Sequence, residues 1–253
     1  MKTVNKKKGS KKISWQLYAL VLIGVLVAFL RMHSVGDPLT RDLSMYAYDA
    51  HELILGSKMY TDIFSMRAPG IQATYVLAEL VWGYEESSVY LLGVLFTLIS
   101  LVFLFLFINL LAGANVALIG VVLYGISSNS LSLGANQPNG ETFINTYTII
   151  ALWAFAKFSI GHRAYLVLAG LSFAVASLYK QTVLFPFLAM ALYIILPQGK
   201  IDINVWLKES ATKLLKFGLP SVFVWSALFA YFFLNGRFGD FWGDVFSHSE
   251  DYA

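Results

Sequence analysis

The sequence contains no cysteine among its 253 residues, and this absence excludes a disulfide framework and thiol chemistry. The four histidines, His33, His51, His162 and His248, lack the paired spacing of metal-binding motifs. Charged residues make up only 13% of the chain, about half the share found in an ordinary soluble domain. These shortages argue against a secreted disulfide scaffold and against a soluble globular enzyme.

Apolar residues are abundant instead, at 58% of the chain. A membrane-spanning helix needs about 20 mostly apolar residues, and the sequence offers several such runs. We predict an all-α polytopic membrane protein with about seven transmembrane helices. The predicted spans are Ile13–Arg31, Val89–Leu111, Val116–Leu133, Thr142–Phe158, Tyr165–Tyr179, Thr182–Leu196 and Gly218–Leu234. The fifth and sixth are short and close together, so they could instead form one broken or re-entrant element.

The distribution of charge indicates an orientation. Six lysines precede the first span, and with the N-terminus in the cytoplasm two thirds of all lysines and arginines fall on inner segments. The exit of the first span lacks the small-residue cleavage pattern of a signal peptide, so we expect it to be retained as an anchor. Every acid except Asp202 and Glu209 falls on the outer side. This division of charge gives no indication of nucleic-acid binding and predicts a functional site on the extracytoplasmic face of the plasma (inner) membrane.

The chain divides into three parts. Residues 1–12 form a basic cytoplasmic tail, residues 13–234 a transmembrane module whose first outer loop covers 32–88, and residues 235–253 an outer segment. Because no closing helix follows that last segment, we expect the chain to be a fragment or a short member of a longer family.

The first outer loop contains two segments with apolar residues at helical spacing. Asp42–Leu55 has one apolar stripe and a polar back, and Gly56 is a natural stop. Gly70–Trp82 follows Pro69 and has a similar stripe. We expect both to lie on the membrane as interfacial helices, and the same interpretation applies to Ile201–Phe217 on the inner side.

Asp42 has two interpretations. An acid at the start of a helix is favoured by the helix dipole, and taken alone this favours a capping role. The catalytic interpretation depends on its neighbours: Asp49 lies two helical turns further along the same face, Tyr46 and Tyr48 flank the site, and Asp62 follows a tight turn. Each of these acids alone would be read as a solvated surface residue.

Two cations and one further acid are the other candidates. Arg67, in the run Arg67-Ala68-Pro69-Gly70, carries a planar guanidinium suited to phosphate oxygens. Lys180 lies between two apolar runs, where charged residues are costly and usually functional. For both cations the alternative is a side chain that extends to lipid headgroups. Glu141 ends the polar turn 136–141. The alternative for it is an ordinary turn followed by an acid at the start of a helix, but a Pro/Gly turn does not explain the two asparagines and the glutamate.

The order of these motifs resembles the first outer loop of polyprenyl-phosphate-sugar-dependent glycosyltransferases of the GT-C superfamily. The resemblance is to the family 39 branch, similar to protein O-mannosyltransferases and related to lipid A aminoarabinose transferases. Its pattern is an acid followed by Tyr-Ala-Tyr, then Gly-x-x-x-Tyr-x-Asp, then a basic residue, Pro and Gly. The matching positions are Asp42, Tyr46, Gly56, Tyr60, Asp62, Arg67, Pro69 and Gly70. Glu141 and the run 178–182 also resemble that family, and the resemblance extends from the first span to the seventh.

The resemblance implies an inverting sugar transfer from a polyprenyl-phosphate donor to an acceptor hydroxyl of a glycan, lipid or protein. It implies Asp42 as the general base and Arg67 as the residue that holds the lipid phosphate, with assistance from Lys180. No cofactor is implied; a divalent ion between Asp42 and Glu141 is conceivable, but nothing in the sequence supports it.

Four further residues receive supporting roles from the same resemblance. Glu141 and Asp62 would orient the acceptor or the base. Tyr46 and Tyr60 would stack on the sugar or pack the loop, and packing is the simpler expectation.

Two other functions stay open at this stage. A secondary transporter or lipid-linked-sugar flippase would usually show internal repeats and polar groups at the bilayer midplane, whereas the ionisable residues here lie at the outer rim. The other alternative is a non-catalytic or truncated GT-C-like membrane scaffold.

Overall fold

The computed structural model describes residues 15–131, 134–197 and 202–247, so the predicted tail 1–12 and the end at 248–253 lie outside the described residues. Regular structure in this part is helical, which confirms the predicted all-α class. The helices are α1 (Trp15–Met32), α2 (Arg41–Leu55), α3 (Gly70–Trp82), α4 (Glu86–Ala112), α5 (Ala114–Ser127), α6 (Gly140–Ser159), α7 (Tyr165–Ser177), α8 (Leu184–Ile195), α9 (Ile203–Leu234) and α10 (Phe238–Trp242).

Three of these helices, α1, α4 and α9, are long and apolar enough to cross a membrane. Helices α5 and α7 and the stretch 181–195 are apolar but shorter. The chain is therefore an all-α membrane protein, while the number of spans stays a prediction.

Two apolar clusters hold the membrane helices together. Helices α1, α4 and α5 pack around Leu101 and Val121. Helices α6 to α9 pack around Phe173 and Phe217, and Phe187 of α8 stacks on Phe217 with ring centroids 4.6 Å apart. Phe187 also contacts Phe173 of α7, whereas the backbone of α8 lies mainly against α9. The predicted fifth and sixth spans are thus two separate helices joined by a turn at Lys180.

The segment after residue 202 differs from the prediction. The expected interfacial helix Ile201–Phe217 and the expected span Gly218–Leu234 form the single helix α9, which continues through Pro220. Its 32 residues correspond to about 48 Å, longer than the hydrocarbon core of about 30 Å. The predicted boundary was wrong because it was placed at a change in polarity, and lysines do not interrupt the hydrogen bonds of a helix.

The two helices predicted in the first outer loop are confirmed. Helix α2 ends at Gly56, whose φ of 104° is one that glycine adopts readily, and its N–H bonds to the carbonyls of Glu52 and Leu53. Helix α3 packs against α2 and α4, and the apolar faces of these helices meet around Leu43 and Phe143. This cluster lies directly beneath the residues that form the candidate site.

Candidate active site

Several helix ends meet at one end of the protein, which is the predicted outer end. The guanidinium of Arg31, at the end of α1, donates to the carbonyls of Ser128 (2.7 Å) and Ala135 (2.8 Å) in the α5–α6 connection. The phenol of Tyr75 in α3 donates to the carbonyl of Pro138, 3.0 Å away. These bonds join the α5–α6 connection to the first outer loop, where the candidate residues were predicted.

A close backbone approach joins the first outer loop to the α7–α8 turn. The N–H of Gly70 donates to the carbonyl of Leu178 at 3.0 Å. A Cβ on Gly70 would lie 2.6 Å from that carbonyl oxygen, so only glycine allows the two segments to come this close. As a result, Arg67 and Lys180 are brought to the same place although 113 residues separate them in the sequence.

Arg67 is held from two sides. Its Nη1 donates to the phenol of Tyr46 at 2.6 Å, and its guanidinium carbon lies 5.7 Å from the centre of that ring. Its backbone carbonyl accepts a hydrogen bond of 2.8 Å from Tyr60. The guanidinium also lies beside the start of α6, since Nη1 is 4.0 Å from the position that a Cβ would take on Gly140. None of these partners of the guanidinium is a carboxylate.

A small pocket of about 160 Å³ lies between Arg67 and Lys180. Trp225 of α9 closes one side, and its indole N–H donates to the hydroxyl of Ser177 at 2.9 Å. Tyr179, which packs beneath α3, also lines the pocket. Two cations that share one pocket are an arrangement suited to a phosphate group. We refer to it as the cationic pocket.

Glu141 is the partner of Lys180. The Nζ of Lys180 donates to Oε1 of Glu141 at 2.9 Å, and both side chains are about half exposed. Burial raises the pKa of the Glu141 carboxyl, but the hydrogen bond from Lys180 and the charges of Lys180 and Arg67 outweigh it and leave the pKa below its ordinary value. Glu141 is therefore an anion that holds Lys180 next to Arg67.

Asp42 is exposed in the first turn of α2, and the capping position belongs to Thr40. The hydroxyl of Thr40 donates to Oε1 of Gln137 at 3.0 Å, which joins the start of α2 to the polar turn before Glu141. No carboxylate–amide bond of a capping aspartate is formed by Asp42 among the described residues. Its carboxylate is therefore available to a ligand at the outer surface.

Charged groups of both signs influence the pKa of the Tyr46 phenol. Burial raises its pKa, the positive charge of Arg67 lowers it, and the negative charges of Asp42 and Glu141 raise it further. The cation and both acids therefore act on the same hydroxyl. Asp42, Tyr46, Arg67 and Glu141 therefore form one cluster. Lys180 joins it because it bonds to Glu141.

The other two predicted residues lie outside this cluster. Asp62 accepts a hydrogen bond of 2.8 Å from the backbone N–H of Lys58 and closes a turn. Tyr60 is buried between Phe232 and Phe241, with its phenol turned to the Arg67 carbonyl. Tyr60 thus fixes the loop that carries Arg67, and Asp62 shapes the turn before it.

The structure adds Gln72 and Trp225, which the sequence did not single out for the site, and it shows that Asp49 is buried. Gln72 is fully buried and donates to Ser65 (3.1 Å) and to Asp49 (3.5 Å), while its own Oε1 has no partner in the described structure. Burial raises the pKa of Asp49, and the hydrogen bond from Gln72 partly offsets this. The helical spacing had placed Asp49 on the face of Asp42, but nothing in the sequence indicated that α3 covers it. For Trp225, nothing in the sequence beyond its aromatic side chain indicated a place in the site.

The described residues contain no candidate metal site. Within 15–131, 134–197 and 202–247, no group of three or more His, Cys, Asp or Glu side chains is placed to hold a metal ion.

Comparison with known proteins gives one match. A family model described as dolichyl-phosphate-mannose-protein mannosyltransferase matches residues 67–226, well over half of the chain. No curated protein and no solved structure matches. The matched range begins at Arg67 and includes Gly70, Glu141, Lys180 and Trp225.

Proposed function

We propose that this chain, which belongs to the dolichyl-phosphate-mannose-protein mannosyltransferase family, moves a sugar from a polyprenyl-phosphate donor to an acceptor hydroxyl at the extracytoplasmic face. The family is one of membrane glycosyltransferases of the GT-C type. The reaction class therefore comes from the family. The donor, the side of the membrane and the residue roles are our proposal.

The observation that carries the proposal is the cationic pocket. Arg67 and Lys180 line the same small cavity at the predicted outer end, and the guanidinium of Arg67 is bonded to a phenol and not to a carboxylate. A lipid phosphate bound there would receive charge-assisted hydrogen bonds from both cations. Those bonds would strengthen as negative charge builds on the leaving phosphate, which lowers the barrier to transfer.

Glu141 has a positioning role in this proposal. Its bond of 2.9 Å keeps Lys180 near Arg67 in the absence of a donor. When the phosphate binds, Lys180 can share its three N–H donors between the carboxylate and a phosphate oxygen. The carboxylate also limits the net positive charge of the empty pocket.

Asp42 is the proposed general base. It lies exposed near Tyr46, whose phenol bonds to Arg67. The carboxylate takes the proton of the acceptor hydroxyl while the acceptor oxygen forms a bond to the anomeric carbon. The bond between that carbon and the phosphate oxygen breaks on the opposite face, and the electron pair leaves with the phosphate. The products are an inverted glycoside, a polyprenyl phosphate and a protonated Asp42.

The test is sugar transfer in membranes that carry the wild type, Asp42→Asn or Asp37→Asn. Radiolabelled polyprenyl-phosphate sugars are supplied as a panel, and label is followed into lipid, glycan and protein fractions. Asp37 is the matched control, because it is an exposed acid of the same loop and has no place in the proposed mechanism.

We expect Asp42→Asn to abolish transfer and Asp37→Asn to leave it unchanged, with equal insertion of all three proteins. Transfer that survives Asp42→Asn would contradict the role of the base. A well-inserted wild type that transfers no sugar from any donor would favour the scaffold alternative, and movement of lipid-linked sugar without a new glycosidic bond would favour a flippase.

A further inference from the structure

A second cavity lies on the other side of Glu141 from the cationic pocket. Its volume is about 390 Å³, within the range of roughly 300–1,000 Å³ that is typical of small-molecule sites. The ends of α1 and α5 and the first turns of α6 enclose it, and Glu141 lines it. We refer to it as the polar pocket, because most of the residues that line it have amide, hydroxyl or charged side chains.

Several of these polar groups have open hydrogen-bonding capacity. The amide of Asn145 and the hydroxyls of Tyr124 and Ser127 line the pocket, and none of them has a hydrogen-bond partner among the described residues. Asn145 follows Glu141 by one helical turn, so the two side chains lie on the same face of α6. Asn145 is exposed, so all four of its hydrogen-bonding positions are accessible to a ligand in the pocket.

Arg31 supplies an independent observation. Its side chain is 4% exposed, and it lines the polar pocket. Its terminal nitrogens donate to three backbone carbonyls, at Ser128, Ala135 and Asn136, but its Nε is buried without a partner in the described structure. A buried guanidinium with one unused donor and no carboxylate among those partners favours an oxygen-rich ligand beside it.

The polar pocket is joined to both reacting groups of the proposed mechanism. Glu141 lines it and also bonds to Lys180 of the cationic pocket. Gln137, on its wall, accepts the hydrogen bond of Thr40, two residues before Asp42. A sugar is bonded directly to its phosphate, so a ring next to the cationic pocket would lie against Glu141.

We propose that the polar pocket is the subsite for the glycosyl group of the donor, where Asn145, Tyr124 and Glu141 bond to the hydroxyls of a sugar ring. This inference rests on the proposed function and extends it, since it assigns the sugar and the phosphate of one donor to two different cavities. Recognition by amides and a carboxylate suits a neutral, hydroxyl-rich ring, because amides both donate to and accept from hydroxyls and a carboxylate accepts from them.

The experiment separates the sugar from the phosphate. Equilibrium binding to the purified protein in lipid nanodiscs is measured for two probes, a short-chain polyprenyl-phospho-mannose and the same polyprenyl phosphate without sugar. The variants are Asn145→Leu and Tyr124→Phe in the polar pocket and Arg67→Gln in the cationic pocket. Asn109→Leu is the control, since Asn109 is an exposed helical asparagine of α4 outside both pockets.

We expect Asn145→Leu to weaken binding of the glycosylated probe about threefold to tenfold, the range of one or two lost hydrogen bonds, and to leave the sugar-free probe unchanged. Tyr124→Phe should give a smaller change in the same direction. Arg67→Gln should weaken the binding of both probes, and Asn109→Leu should change the binding of neither. Thermal unfolding of each variant shows that the fold is intact.

Other outcomes would overturn the inference in distinguishable ways. Equal affinities of Asn145→Leu and wild type for the glycosylated probe would mean that the pocket holds no donor sugar. An unchanged donor affinity with a raised KM for the acceptor would assign the pocket to the acceptor instead. If Arg67→Gln has no effect on either probe while Asn145→Leu does, the proposed phosphate site fails and the sugar subsite stands. If the wild type binds neither probe, both proposals fail.

Discussion

Two pockets to which the first outer loop contributes differ in size and in charge. The cationic pocket measures about 160 Å³ and is lined by Arg67 and Lys180. The other measures about 380 Å³ and is lined by Glu79, Glu85 and Glu86; we refer to it as the acidic pocket. The larger cavity would repel an anionic donor, and the smaller one attracts it. Charge therefore favours the cationic pocket as the proposed donor site, although it is the smaller cavity.

One acid of the acidic pocket, Glu79, is paired. Nδ1 of His51 lies 2.7 Å from Oε1 of Glu79, and the ring of His51 stacks on Tyr84 with centroids 3.9 Å apart. In contrast, the guanidinium of Arg67 bonds only to a phenol among the described side chains. Paired side chains stabilise the loop, whereas an unneutralised cation is ready for an anionic ligand.

The largest effect is expected from Arg67→Gln. This change removes the guanidinium that we place on the leaving phosphate, so the rate of sugar transfer should fall by about 10²- to 10³-fold, as for the loss of one electrostatic contact in an active site. The comparison variant is Glu79→Gln in the acidic pocket, which should keep transfer within about twofold. Initial rates in matched membranes measure both, and a Glu79→Gln loss as large as that of Arg67→Gln would remove the distinction between the pockets.

A smaller loss is expected from Gly70→Ala. The added Cβ would lie 2.6 Å from the carbonyl oxygen of Leu178, so the two segments must separate, at a cost of roughly 1–3 kcal/mol in the free energy of unfolding. Transfer should fall about tenfold or more because Arg67 and Lys180 move apart. Gly218→Ala is the control, since a Cβ there meets nothing within 4 Å and alanine favours a helix. Equal melting temperatures and rates for the two variants would show that the close approach is not needed.

Tyr60→Phe should have a modest effect. It removes the hydrogen bond of 2.8 Å to the Arg67 carbonyl and keeps the ring between its aromatic neighbours. We expect a loss of about 1 kcal/mol in stability and a few-fold rise in the KM for the donor with a smaller change in kcat. The matching change in the acidic pocket, Tyr84→Phe, should leave the KM for the donor unchanged. Donor titrations measure both, and a reduced kcat at constant KM for Tyr60→Phe would indicate a different role.

The smallest effect concerns Asp49 and the pH dependence of stability. Its pKa in the folded protein is raised by burial, so the folded state binds the proton more tightly than the unfolded state. Asp49 therefore adds stability as the pH falls through its folded pKa towards its ordinary value, and this contribution is lost as the pH rises. Glu141, whose folded pKa is lowered, has the opposite sign, and its contribution is lost as the pH falls through its folded pKa.

The corresponding variant is Asp49→Asn. It should raise the stability at neutral pH by about 1 kcal/mol, because a neutral amide avoids the burial of a charge and can donate to the unpartnered Oε1 of Gln72. Thermal unfolding between pH 4 and 8 measures this, with Glu141→Gln as the comparison. A lower stability of Asp49→Asn at neutral pH would show that the charge of Asp49 is used in the folded state.

The parts of the fold that could be predicted are those set by local signals. The apolar spacing and Gly56 were sufficient to predict α2 and α3, since periodicity and a helix-ending glycine act within a few residues. The start of α9 was not predicted correctly, because a cluster of lysines suggested a separate interfacial helix although the backbone continues unbroken.

The candidate site was predicted in its residue types and not in its contacts. The family resemblance named Asp42, Arg67, Glu141 and Lys180, and the structure brings them together. The burial of Asp49, the position of Trp225 and the polar pocket depend on contacts between segments far apart in the chain. Such contacts leave no local pattern in a single sequence.

The hydrogen bond between Gly70 and Leu178 has a consequence for the biogenesis of the protein. One wall of the cationic pocket is synthesised early and the other more than a hundred residues later, so the pocket cannot exist on the nascent chain until the α7–α8 turn has been synthesised. The phosphate site that we propose is therefore completed only when the second wall docks onto the first.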